Sequence, residues 1–150
     1  MNLSNSILQR EFKLTTNDGL ELFAKSWGDP QASRAAVVLV HGLGEHCGRY
    51  EHVAQAFVSD GLYVLGFDQR GHGRSPGKRG LIPSYDQPLE DLTVALERAQ
   101  ADAPSLPLFL YGHSLGGLEV LHYGLVRKPE LQGVIATSPA LMVSTSTLNR

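Results

Sequence analysis

The string Gly112-His113-Ser114-Leu115-Gly116 joins an apolar run, Leu108 to Tyr111, to a stretch that is apolar on nearly every side, Leu118 to Val126. A serine hydroxyl can attack an acyl carbon when a sharp strand-to-helix turn holds it clear of the backbone. Such a turn is cramped, so the positions two before and two after the serine must lack bulk, and Gly112 and Gly116 meet that demand. The same turn sets Ser114 at a helix N-terminus. There the Leu115 N–H and the helix dipole face any negative charge that develops on a substrate oxygen.

Acyl transfer needs a second donor for that charge. His41-Gly42-Leu43-Gly44 follows the apolar run Val37 to Val40 directly. A glycine-rich loop at the carboxyl end of a neighbouring strand lets a backbone N–H approach closely, and the Leu43 N–H is placed to be that donor, with His41, Gly42 and Gly44 setting the loop geometry. A third string, Asp68 to Ser75, follows Leu62 to Phe67 and contains no obvious reacting group. It reads as a structural loop packed beside the other two. His41 and His46, with only Glu45 and Cys47 nearby, lack the separated spacing of a metal site and read as loop-shaping residues. His113 reads as packed beneath the serine turn, His72 as a loop residue and His122 as a core histidine. Arg70, Arg74, Lys78 and Arg79 read as solvated or paired charges rather than as a phosphate-headgroup site.

Two phosphate-binding patterns fail. Gly77-Lys78 is followed by Arg79 where a P-loop needs Ser or Thr. Gly42, Gly44 and Gly48 place the third glycine of a dinucleotide fingerprint one residue late, and Glu45 would stand where pyrophosphate must sit.

The elements that must position these strings follow from periodicity. Gln9 to Leu14 and Leu20 to Lys25 alternate polar and apolar around Asn17-Asp18-Gly19, which predicts a β-hairpin. Ala36 to Val40, Leu62 to Phe67, Leu108 to Tyr111 and Gly133 to Thr137 are apolar on both faces, as strands covered on both sides must be. Between them lie helical stripes: Tyr50, Val53, Ala54, Phe57 and Val58, ended by Gly61; then Leu89, Leu92, Leu96 and Ala99; then Leu118 to Val126 ending before Pro129. Strands alternating with helices predict an α/β fold, a doubly wound, mostly parallel sheet behind an N-terminal antiparallel hairpin.

Composition narrows the function class. The chain has 150 residues, 13 Lys plus Arg against 15 Asp plus Glu, and a net charge of -2, with no polybasic footprint for nucleic acid. Its one cysteine, Cys47, allows no intrachain disulfide. Met1 to Ser6 carry neither the basic stretch nor the apolar run of a signal peptide. The longest aliphatic run, Ala35 to Val40, falls far short of the roughly 20 residues of a bilayer span. A soluble, cytoplasmic protein is the expectation.

Taken together, His41 to His46, Asp68 to Ser75 and Gly112 to Gly117, in this order and each after a buried strand, resemble the motifs of the α/β-hydrolase superfamily. The H-G-x-G-E-H, D-x-x-G-H-G-x-S and G-H-S-x-G-G patterns are similar to those of its monoacylglycerol lipase and lysophospholipase branch. The resemblance implies Ser114 as nucleophile, the Leu43 and Leu115 N–H groups as oxyanion hole, and an acyl-serine intermediate. The substrate it implies is a small lipid-like ester, a single-chain monoacylglycerol or lysophospholipid, handled with no metal and no cofactor. A catalytically silent ligand-binding protein, or an esterase or peptidase on the same scaffold, are the competing expectations.

In this superfamily the acid and the histidine follow the serine. Glu119, His122 and Glu130 come too soon, since eight residues along a helix is a displacement of roughly 12 Å and a base must come within about 3 Å. The expectation is therefore the N-terminal part of one α/β-hydrolase domain over residues 1–150, incomplete at its C-terminus, with about 141–150 leading into a lid. Any contact with a membrane surface would be transient and made by that lid. By itself such a piece is expected to be inactive, and to aggregate through Gly133 to Thr137.

Overall fold

The computed structural model describes residues 7–142. Met1 to Ser6, the polar stretch Ser144 to Thr147 and most of the segment expected to lead into a lid lie outside the described residues. Strand β1 (Gln9–Thr15) pairs antiparallel with β2 (Glu21–Trp27), Leu14 opposite Leu22, through a turn in which Gly19 adopts φ 86°. This is the hairpin that the Asn-Asp-Gly cluster predicts. Strands β3 (Ala35–Val40), β4 (Leu62–Phe67), β5 (Leu108–His113) and β6 (Gly133–Thr137) run parallel, while β2 joins β4 antiparallel. The sheet order is β1-β2-β4-β3-β5-β6.

Among the described residues three α-helices cover the sheet: α1 (Glu51–Ser59), α2 (Gln87–Asp102) and α3 (Leu115–Arg127). Every residue of β3 is buried, and the two-residue period divides them between layers. Ala36, Val38 and Val40 pack with Leu92, Leu110 and Val120 under α2 and α3, whereas Leu39 packs with Trp27, Tyr50, Ala54 and Val64 under α1. The predicted stripe Leu89, Leu92, Leu96 and Ala99 is buried against that first layer.

Helix α3 departs from the sequence expectation. Gly116, Val120 and Tyr123 face the protein interior, but Leu125 is 76% and Val126 56% exposed, and Glu119 is buried instead. The reason is geometric: the stripe that meets the sheet is one face of the helix, Leu125 lies about half a turn away from it, and Val126 stands in the last turn before the helix ends at Arg127. Strand β6 is an outer strand, only half-buried, with Ile135 exposed.

Candidate active site

Ser114 follows β5 and caps α3, and its backbone stands at φ 55°, ψ -116°. A non-glycine residue in that region is strained by about 1–3 kcal/mol and persists only where its surroundings over-determine it. They do so here. The Ser114 N–H donates to the Thr137 carbonyl at 3.0 Å, and its own carbonyl accepts from Leu118 N and Ala140 N, both at 3.0 Å. A Cβ on Gly112 would lie 2.2 Å from the Gly116 carbonyl oxygen, and one on Gly116 would lie 2.2 Å from that of Val40. Both neighbours are backbone and have no room to retreat, so the two glycines are what allow the turn. The Ser114 side chain is half-buried, and its hydroxyl makes no hydrogen bond with any group among the described residues.

The loop after β3 lies directly against this turn. A Cβ on Gly42 would stand 3.2 Å from Ser114 Cβ and 3.3 Å from the His113 carbonyl oxygen. Leu43, one residue on, is 60% exposed, and its N–H donates to no group among the described residues. Leu115 is the first residue of α3, so its N–H likewise has no acceptor within the helix. Leu43 and Leu115 thus each carry a backbone N–H without an acceptor among the described residues.

His41 fixes the first of them. The ring is fully buried; Nδ1 lies 2.7 Å from the Gly42 carbonyl and Nε2 2.9 Å from the Gln69 N–H. A carbonyl only accepts and an N–H only donates, so Nδ1 carries the proton and Nε2 the lone pair. Burial holds the ring neutral down to about pH 4. Because the Gly42 carbonyl and the Leu43 N–H belong to one rigid peptide plane and point oppositely, anchoring the former aims the latter.

Glu45 closes the loop, accepting from Gly42 N at 2.9 Å and from the Tyr50 hydroxyl at 2.6 Å. Burial opposes the charge on this carboxylate, but the Tyr50 and Gly42 hydrogen bonds and the Arg49 guanidinium outweigh it and hold Glu45 below its ordinary range. The structural role expected for Asp68 to Ser75 is also plain. Asp68 accepts from Cys47 N at 2.7 Å and Arg74 N at 2.9 Å, and the Gln69 amide donates to the His41 carbonyl at 2.8 Å. Gly73, at φ 49°, passes so close to Asp68 that a Cβ would lie 2.2 Å from its Oδ2.

The basic residues divide. Arg70 is buried and paired with Asp91 at 2.6 Å and Asp18 at 3.0 Å, which holds Asp18 well below the usual carboxylate range. Arg74 reaches Glu11 and covers the Phe23 ring, and Arg79 donates to backbone carbonyls of its own loop. Burial pushes the Cys47 thiol far up, so it stays protonated and inert. His113 is half-buried rather than fully packed, with Nδ1 at 2.9 Å from Thr137 Oγ1. His122 is not a core histidine: it is half-buried and lines a cavity, because it lies on the face of α3 turned away from the sheet. Glu119, weighed in the sequence only as a base too distant from Ser114, is a buried carboxyl on that helix. A single acidic residue between Leu118 and Val120 was the available signal.

No cluster of three or more His, Cys, Asp or Glu side chains suited to a metal occurs among the described residues. Among the same residues no helix is long and apolar enough to cross a membrane.

Comparison with known proteins gives the geometry a family context. A family model described as serine aminopeptidase, S33, matches residues 31–149. The chain is 45% identical over 129 residues to an uncharacterized abhydrolase domain-containing protein of Dictyostelium discoideum, covering 85% of this chain and 13% of that protein. It is 40% identical over 123 residues to a monoacylglycerol lipase of Mycolicibacterium smegmatis, covering 82% of this chain and 44% of that one. The chain thus spans less than half the length of these relatives. Among solved structures it is similar to the Paleococcus ferrophilus monoacylglycerol lipase, with a TM-score of 0.65 and 36% identity over 93% of this chain and 46% of the other.

Proposed function

The chain belongs to the serine aminopeptidase S33 family and to the monoacylglycerol lipase-like branch of the α/β-hydrolases, and from that premise we propose that it carries the nucleophile and oxyanion hole of a serine ester hydrolase. The observation that carries this is the strained backbone of Ser114, φ 55°, together with the unpartnered N–H groups of Leu43 and Leu115. Strain of that kind concentrates where a reacting group must be held in place.

In the proposed reaction Ser114 Oγ bonds to the ester carbonyl carbon, and the carbonyl electron pair moves onto oxygen, held by the Leu43 and Leu115 N–H groups. A histidine takes the serine proton and passes it to the leaving alcohol as the carbon–oxygen bond breaks, leaving an acyl-serine. Water then adds to the acyl-serine with the same proton traffic and releases the acid. Neither an imidazole nor a carboxylate is hydrogen-bonded to Ser114 among the described residues. In this reading the histidine and acid come from a part of the hydrolase domain other than residues 1–150, which act as its N-terminal part. The substrate class that the similarity to monoacylglycerol lipases supports is a single-chain carboxylic ester, a monoacylglycerol or a lysophospholipid.

The free Ser114 hydroxyl is also what a silent ligand-binding relative would display. A fluorophosphonate separates the two. In the complete enzyme, the Ser114 peptide gains the phosphonyl mass and Ser114→Ala gains none; absence of the adduct there overturns the hydrolase assignment. The 150-residue chain alone should turn over esters several powers of ten more slowly, and undiminished Ser114-dependent turnover would place the base within it.

A further inference from the structure

Ser114 extends the pairing of β5 with β6, in which His113 stands opposite Thr137, so the partner of Ser114 is Ser138. A residue in a parallel ladder donates its N–H to the position before its partner and accepts at its carbonyl from the position after. The first bond is made: the Ser114 N–H donates to the Thr137 carbonyl at 3.0 Å. The second has no donor, because the position after Ser138 is Pro139, which lacks an N–H. Ala140 supplies it instead, its N–H reaching the Ser114 carbonyl at 3.0 Å. Ser138 and Pro139 together thus oppose the single residue Ser114. That is a β-bulge, and Ser138 takes the left-handed backbone, φ 43°, that opens one type of bulge.

The bulge grips the serine turn at more than one point. Pro139 packs on the first turn of α3, where a Cβ on Gly117 would stand 3.1 Å from Pro139 Cα. Thr137 Oγ1 lies 2.9 Å from His113 Nδ1. The Ser138 side chain is exposed, so the position contributes its backbone rather than a contact. Ser114 at φ 55° and Ser138 at φ 43° face each other across this pair, and among the described residues only Lys128 is another non-glycine residue at positive φ. Neither conformation is one the residue prefers, and each is held by the hydrogen bonds that join the two segments.

We infer that Ser138 is a positioning residue: its left-handed bulge brings the Ala140 N–H onto the Ser114 carbonyl, and that bond fixes the strained backbone from which the Ser114 hydroxyl projects. The inference rests on the reading of Ser114 as the nucleophile. Displacing a reacting oxygen by about 1 Å costs up to about a hundredfold in rate, so the bulge is felt in turnover rather than in substrate binding.

The test uses the complete enzyme, each variant assayed well below its own melting temperature. Ser138→Gly keeps the left-handed backbone without strain and should retain kcat to within about twofold. Ser138→Val removes no contact but sets a β-branched residue at positive φ. Its kcat and its rate of fluorophosphonate labelling at Ser114 should both fall by about tenfold or more, with KM unchanged to within about twofold. A bulge that only stabilised the fold would lower the melting temperature and leave the kcat of the folded enzyme alone. Where Ser138→Val does not fold, the double variant Ser138→Val/Pro139→Ala carries the test, because an N–H at position 139 opens the regular ladder to it; it should fold and show the same loss. Wild-type kcat in either folded variant, or a loss in Ser138→Gly as large as in Ser138→Val, would overturn the inference. If the wild-type enzyme takes no label at Ser114, the hydrolase reading falls and this inference with it; if the wild-type labels and Ser138→Val labels equally fast, the inference alone is lost.

Discussion

The Gly42 N–H donates to the Glu45 carboxylate at 2.9 Å, and this one bond folds the loop after β3 back on itself. It also explains why position 42 has no side chain: a Cβ there would stand 2.8 Å from Glu45 Oε2 as well as 3.2 Å from Ser114 Cβ. The carboxylate, the glycine and the serine turn therefore form a single packed unit.

That unit should behave non-additively. Glu45→Ala removes a charged acceptor from Gly42 N and Tyr50 Oη and should destabilise by about 2 kcal/mol. Gly42→Ala forces the same carboxylate aside, so in the Glu45→Ala background it should cost less than in the wild-type. A urea double-mutant cycle measures the coupling, and two changes that add to within about 0.5 kcal/mol would contradict it.

Glycines at the turn should differ sharply from glycines elsewhere. Gly116→Ala places a methyl 2.2 Å from the Val40 carbonyl oxygen and 2.5 Å from that of His41, and should destabilise by about 3 kcal/mol or more. Gly19, at φ 86°, has nothing within 4 Å of its would-be Cβ, and its alanine variant should lose only the left-handed penalty of about 1–2 kcal/mol. Thermal melts of the two variants compare them directly.

Strain at Ser114 has its own signature. Glycine ordinarily destabilises relative to alanine by about 0.5–1 kcal/mol, but at φ 55°, ψ -116° the order should invert. Ser114→Gly is expected to be more stable than Ser114→Ala by about 1 kcal/mol. Equal melting temperatures would mean that the turn relaxes when the hydroxyl is removed.

The strands, helices and hairpin were legible because each has its own period and punctuation: Ala36 to Val40 apolar throughout, Leu89, Leu92, Leu96 and Ala99 at helical spacing, Asn17-Asp18-Gly19 at the reversal. The serine turn was legible because its glycines answer a steric demand that a string can display. What could not be read was pairing across the fold. Nothing in Arg70 announces that Asp18 and Asp91, 52 and 21 residues away, converge on its guanidinium. Likewise Leu125 and Glu119 are both in an apolar helix, and only the packing of α3 on the sheet decides that the carboxyl goes in and the leucine out.

The Arg70 cluster makes a graded prediction. Arg70→Met leaves Asp91 buried and unpaired and should cost about 3–5 kcal/mol, whereas pairing it with Asp91→Leu should restore much of the loss. Asp18 has a side chain 44% exposed, so Asp18→Asn should cost only about 1 kcal/mol or less. Urea midpoints rank the three, and an Asp18 effect as large as that of Arg70 would refute the ranking.

His41 links the loop to pH. In the unfolded chain its imidazole titrates near 6.5, while in the folded protein burial lowers this to about 4. Between those values the unfolded state binds the extra proton, so stability rises with pH across the window and falls on acidification. The difference of roughly two and a half units corresponds to about 3 kcal/mol, present above pH 6.5 and lost by about pH 4. Protonating Nε2 would also break its bond to the Gln69 N–H, so the ring cannot charge without loosening the Asp68 to Ser75 loop. The His41 Cε1–H resonance should accordingly show no inflection above about pH 5. His41→Gln, which can accept from Gln69 N but does not titrate, should flatten the acid side of the stability profile. A normal histidine titration near 6.5 at this position would show that the ring is not the buried neutral acceptor on which the aim of the Leu43 N–H depends.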